Sequence, residues 1–241
     1  MHVEKKRLIH LISFLFHLWF FSHLIIQNTH KSPMATTTLL RPIPLNYQPQ
    51  SINPKPFTAT KITCSSVTAQ SLAAKQNLLS LISDQDRGLK TQNDPAKRAS
   101  IIQAIDAMAE LGKDTITTGA SLSATWRLLW TTEKEQLFIV EKAPLFGTRA
   151  GDVLQVIDVE KRTLNNVITF PPHGVFFVRS TIEVASPQRV NFKFTSAVLR
   201  GQSWEFPLPP FGQGWFETVY LDDEIRVVKD IREDYLVVGY R

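Results

Sequence analysis

Asp222, Asp223 and Glu224 stand in a row directly before the strand-like segment Ile225-Arg226-Val227-Val228-Lys229. Clustered carboxylates can hold a divalent cation or shuttle protons, provided that they converge. Adjacent residues on a strand point to opposite faces, so three consecutive acids do not converge there, and the run reads as a turn. Histidine offers little more. Five of the six precede residue 34 and only His173 lies beyond it, inside "PPHG", where it reads as a solvent-facing turn residue. A Ser-His-Asp triad would have to use His173, and no G-x-S-x-G elbow, P-loop or G-x-G-x-x-G accompanies it. The single cysteine, Cys64, leaves the rest of the chain without an internal disulfide, a thiol nucleophile or a Cys/His zinc site. No catalytic residue, metal ligand or cofactor is assigned, and the chain reads as a non-enzyme.

The conspicuous side chains are aromatic. In "SLSATWRLLWTT", residues 121–132, Trp126 and Trp130 are four apart in a segment that also alternates. On a strand, Trp126, Leu128 and Trp130 line one side and Arg127, Leu129 and Thr131 the other. "RVNFKF" sets Val190, Phe192 and Phe194 against Arg189, Asn191 and Lys193 in the same way.

Charge separates the chain into two parts. The formal net charge is +5, yet residues 1–70 hold seven Lys/Arg against Glu4 alone, leaving 20 Lys/Arg and 21 Asp/Glu for residues 71–241. The basic excess belongs to a leader, which argues against a nucleic-acid partner. Residues 1–33 contain the apolar run "LIHLISFLFHLWFFSHLII" behind "EKKR". It reads as a signal or anchor interrupted by histidines and serines, or as an upstream extension ahead of a working start at Met34; the second reading is preferred. Residues 34–65 are rich in Ser, Thr and Pro, carry Arg41, Lys55 and Lys61 and contain no acid. They read as a plastid transit peptide ending near Cys64.

The body, 66–241, opens with helices over 70–112. Leu72, Leu78, Leu79 and Ile82 mark one apolar face, "DRGL" at 86–89 interrupts it, and Asp94-Pro95 starts a helix over 95–111 with Ile101, Ile102, Ile105 and Met108 inward. From 120 to 241 the period becomes two. Expected strands are 124–132, 135–141, 152–159, 163–170, 174–183, 188–199, 202–206, 215–221, 224–230 and 235–240, an antiparallel barrel or sandwich pattern and not a parallel α/β one. The expected class is mainly β with N-terminal helices (α+β).

The chain resembles the plastid-lipid-associated protein (PAP)/plant fibrillin family. The residues that carry the resemblance are "DRGL" between the helices, "SATWRLLWTT" at 123–132, "LPPFGQGWFETVYLDDEIRVVKD" at 208–230, and the leader. Ala124 stands where the family usually has Gly, and "VVKDIREDYLVV" lacks the two glycines that usually follow the basic strand. The resemblance implies a lipocalin-like antiparallel β-barrel in the plastid or chloroplast. It implies peripheral contact with plastoglobules or the thylakoid membrane, and binding of a hydrophobic lipid or isoprenoid ligand. It also implies that an Arg from the last strands covers the first-strand Trp. Arg226 on Trp126 is the candidate pair closing the barrel, and a plain surface arginine is the alternative.

A barrel of about eight strands has room for packed side chains or for one small ligand. The candidate lining residues are Trp126, Leu128, Trp130, Phe138, Phe176, Phe192, Phe194, Trp204 and Trp215; the competing reading is that they fill a solid core. "FPLPPFGQGW" is either a lid on the barrel or a loop that dips Phe211 and Trp215 into a lipid surface. The alternative function is an interaction protein that coats lipid particles or holds an isoprenoid-biosynthetic enzyme as its protein partner, without a cavity.

Overall fold

Asp94 begins the better-signalled helix: its side chain accepts a hydrogen bond from the Lys97 amide at 2.9 Å, and Pro95 occupies the first helical position, where its missing N–H costs nothing. In the computed structural model, which describes residues 64–209 and 212–241, this helix (α2) runs Pro95–Gly112 behind α1, Cys64–Ile82. The expected segments 1–33 and 34–65 lie outside the described residues, except that Cys64 and Ser65 open α1; Phe211 lies outside them as well. Ile101, Ala104, Ile105 and Met108 form the buried stripe of α2, and Leu78 and Ile82 face them from α1, whereas Leu72 is 49% exposed. Among the described residues, no helix is long and apolar enough to cross a membrane.

The strands are β1 Thr125–Thr131, β2 Val153–Asp158, β3 Thr163–Phe170, β4 Gly174–Val184, β5 Arg189–Arg200, β6 Glu205–Leu208, β7 Gln213–Leu221, β8 Ile225–Asp230 and β9 Tyr235–Tyr240. All pairings are antiparallel. The sheet order is β4-β3-β2-β1-β9-β8-β7-β5-β6, and β4 also pairs with β5, so the ladder closes into a ring of eight strands. β5 is long enough to pair with β7 through residues 189–193 and with the ninth strand, β6, through 197–200. The protein is therefore mainly antiparallel β, with α1 and α2 packed together against one side of the sheet.

Closing the ladder gives the sheet an inner and an outer face. The inner cluster includes Trp126, Leu128, Val153, Ile168, Ile182, Val190, Phe216 and Val228. It continues through Phe176 to a smaller group of Ala197, Leu199 and Leu208. The outer cluster joins Trp130, Val219, Tyr220, Val227 and Val237 to α1 and α2.

The ladder has three register shifts, one of them between β4 and β5, and the two bulges beside the helices assign residues to these faces. Leu128 pairs with Val238 but Trp130 with Val237, so Leu129 is an extra residue. Thr218 pairs with Val228 but Tyr220 with Val227, so Val219 is another. Each bulge puts two successive residues beneath the helices and breaks the alternation. The expectation that Trp126 and Trp130 share a side is corrected here: Trp126 is inside the ring and Trp130 outside it.

A second correction concerns residues 135–141, expected as a strand. They form helix α3, Lys134–Lys142, which carries Leu137, Ile139 and Val140 buried. Ile139 and Val140, with Ala143, join the inner cluster. A short apolar run such as "LFIV" fits either a strand or a helix, and the demand for an apolar surface at the inner cluster decides it. Phe138, proposed as lining, is half-buried on this helix with the Lys142 ammonium 5.9 Å from its ring.

"DRGL" joins the layers. Gly88 has φ +113°, and a Cβ there would lie 2.2 Å from the Thr131 carbonyl oxygen. Such closeness lets the Arg87 carbonyl accept the Thr131 amide at 3.1 Å, while Arg87 Nη1 donates to the Gly151 carbonyl at 2.8 Å.

Candidate functional site: the inner face around Arg226

Arg226 alternates with Val228 on β8, and its backbone pairs with Val238, so its side chain enters the ring. It is 0% exposed. The guanidinium lies 5.7 Å from the Trp126 ring centroid and 5.3 Å from that of Phe216. The reading of Arg226 as a surface residue does not hold. Trp126 is itself fixed: its indole N–H donates to the Leu122 carbonyl at 3.0 Å, and Tyr240 meets it edge-on at 5.9 Å.

The polar surroundings of this cation are sparse. Arg226 Nη2 donates to Gln155 Oε1, and Nε and Nη1 have no hydrogen-bond partner among the described residues. Burial alone pulls the guanidinium pKa down to about 9, with no carboxylate opposing it. The hydroxyls of Thr218 and Ser180 are also buried and unpartnered. Thr218 pairs with Val228, one inward position along from Arg226. Most buried polar groups in folded proteins are hydrogen-bonded, and an uncompensated buried charge is among the costliest things a fold can hold.

The other sequence candidates divide between faces. Phe192 packs on the inner cluster, 6.5 Å from Phe216 and 5.2 Å from Phe194. Phe176 and Trp204 contact the smaller inner group. Trp215 does not join them. It pairs with Asn191, one position out of step with inward Phe216, and the Arg189 guanidinium lies 4.0 Å from its ring on the outer face. Phe216, Gln155, Thr218 and Ser180 are site residues that the sequence reading missed. Phe216 was passed over beside its neighbour Trp215; the three polar residues carry no signal, because their types are usually exposed.

The acids of the β7–β8 turn do converge in part, on a lysine: Asp222 and Glu224 each lie 2.9 Å from Lys75 of α1. Among the described residues, no group of three His, Cys, Asp or Glu side chains is placed to hold a metal ion. His173 sits exposed on the β3–β4 turn.

Residues 72–239, well over half of the chain, match the model of the PAP_fibrillin family. The chain belongs to the PAP/fibrillin family. It is also 70% identical over 178 residues to the probable plastid-lipid-associated protein 11, chloroplastic, of Arabidopsis thaliana, covering 74% of this chain and 84% of that protein. No solved structure matches. The matched region of this fibrillin-family chain includes α2, strands β1 to β8, all but the last residue of β9, and the site around Arg226. The family is one of lipid-associated proteins, which directs attention to the apolar ring and not to the exposed His173.

Proposed function

We propose that this chain is a non-enzymatic plastid protein that binds or organises lipid, with the ring acting as a lipocalin-like barrel whose interior takes a hydrophobic, isoprenoid-type or other lipid molecule. The observation that carries the reading is the closed antiparallel ladder, which turns Trp126, Phe176, Phe192 and Phe216 toward one shared interior. Apolar ligand surface removed from water contributes roughly 25 cal/mol per Å² in gross terms, so a prenyl or acyl chain is held there by area alone. The chloroplastic relative and the plastid-type leader support a plastid location, and peripheral contact with plastoglobules or thylakoids is part of the proposal. Native mass spectrometry of the gently extracted chain tests the reading. A lipid-sized adduct that is removed by delipidation and restored by added prenyl lipid is expected; a chain that stays free of every plastid lipid contradicts it.

One observation favours a second reading. α3 sends Ile139 and Val140 into the inner cluster and so fills part of the interior with protein. On that reading the ring is a solid scaffold that coats lipid particles or holds a biosynthetic enzyme. Stoichiometric capture of an enzyme by a lipid-free chain would decide for it.

A further inference from the structure

We propose that Arg226 is a ligand anchor as well as a strut, and that it takes the carboxylate of an amphipathic lipid acid inside the ring. The inference rests on the lipid-binding reading above and narrows its ligand class.

Arg226 is fully buried, yet among the described residues only neutral Gln155 accepts from it, and Nε and Nη1 have no acceptor. A stacking role does not require this. Cation–π contact with Trp126 and Phe216 uses the flat face of the group and leaves its edge, where the N–H bonds point, unsatisfied. An exposed arginine would give that edge to water; a buried structural one is normally met by a carboxylate or by backbone carbonyls.

Charge and shape select the partner. One buried cation is balanced by one negative charge, which a monocarboxylate supplies. A diphosphate would leave surplus negative charge buried, and a neutral carbonyl or alcohol would leave the cation uncompensated. A planar carboxylate also matches the guanidinium edge, with two oxygens for neighbouring N–H donors. The buried, unpartnered Thr218 hydroxyl, on the strand paired with β8, is a further donor close to that position. Beyond the head, Phe216, Phe192 and Phe194 follow one another in contact along the inner wall and suit an apolar tail. The lowered pKa of the buried guanidinium is the cost that such an anion would remove.

The test uses the full chain with oleate and, as a neutral probe of the same tail, oleyl alcohol. Wild type is expected to bind oleate about tenfold or more tighter than oleyl alcohol, the discrimination ordinarily given by a charged hydrogen bond. Arg226→Met should abolish that preference while still binding oleyl alcohol; a folded Met variant that keeps the preference overturns the anchor. Arg226→Lys, which keeps the charge without the fork, should retain only part of the preference. Equal binding of both probes by wild type overturns the anchor and leaves the lipid-binding reading intact; binding of neither removes both. If Arg226→Met does not fold, the Lys variant still decides. An unchanged oleate-to-alcohol ratio there, with a lowered melting temperature, shows a strut only and overturns the proposal.

Discussion

The indole N–H of Trp130 donates to Thr91 Oγ1 at 3.2 Å, tying the first strand of the ring to the linker between the two helices. Trp130 is 0% exposed, and the Thr91 hydroxyl itself donates to the Gly88 carbonyl at 2.8 Å. A side chain that resembles a ligand-lining aromatic in sequence thus belongs to the helix–sheet interface. Trp130→Phe keeps most of the packing and loses the hydrogen bond, and should cost about 1 kcal/mol. Trp130→Ala should cost about 3–5 kcal/mol in cavity and lost burial. Urea denaturation measures both, and lipid binding by the folded Phe variant should be unchanged. Loss of binding without loss of stability would return Trp130 to the site.

Gly112 ends α2 where a Cβ would lie 2.0 Å from the Val219 carbonyl oxygen, and Val219 is the bulged residue of β7. The helix end and the bulge fit each other only because this position has no side chain. Gly112→Ala must push backbone from backbone, and should destabilise by about 2 kcal/mol or more through overpacking. Hydrogen exchange should show the loss concentrated in α2 and β7, with the inner strands β2 and β3 little changed. Uniform loss of protection would mean that the helices and ring form one cooperative unit.

The strand pattern was largely legible because turn-bounded segments alternate over 120–241, nine of the ten expected ones being strands and 135–141 the exception, and Asp94-Pro95 marked α2 to within a residue. The bulges were not legible. An extra residue at Leu129 or Val219 looks like any other strand residue, yet it sends everything after it to the other face. Trp215, and not Phe216, stood among the expected lining residues, and a one-residue difference in parity decides which enters the ring. Arg226 had a candidate stacking partner from family resemblance, whereas its missing acceptors depend on what the other strands of the ring bring near it, which a single sequence does not display.

Lys75 of α1 meets Asp222 and Glu224 with a side chain only 13% exposed. Burial disfavours its charge, yet hydrogen bonds to Glu224 and Asp222 push its pKa up to about 12. Burial also opposes ionisation of Asp222, but the Ile225 and Glu224 amides and Lys75 hold it below the usual carboxylate range. A depressed carboxyl pKa stabilises the fold above its unfolded value and stops doing so as pH falls through the folded one. Asp222→Asn should therefore cost stability at pH 7 and much less in strong acid, with a coupling to Lys75→Met of about 1 kcal/mol. Thermal melts of the double-mutant cycle at both pH values check this; zero coupling at pH 7 would show that the pair does not hold α1 to the turn.

Glu133 should give the opposite pH signature. It precedes α3, and its carboxyl accepts a hydrogen bond from Gln136 beside Asp230, Asp234 and Arg232. The residue keeps some exposure while its carboxyl end is enclosed, and that burial, followed by repulsion from Asp230, raises the pKa from 4.5 to about 8. Arg232 opposes the shift but is shared with Glu135 at 2.9 Å and with Asp230 and Asp234. Between pH 4.5 and about 8 the folded chain binds the extra proton, so the stability that this group contributes is full below the unfolded value and is lost as pH rises through the folded one. Glu133→Gln fixes the side chain in a neutral form. It should match wild type near pH 4.5 and exceed it at pH 9, the difference opening by about 1.4 kcal/mol per pH unit across that window. Denaturation midpoints at half-unit pH intervals measure it. Parallel curves for the two proteins would mean that Glu133 ionises in the fold as it does in the unfolded chain, and that the α3 start is open to water.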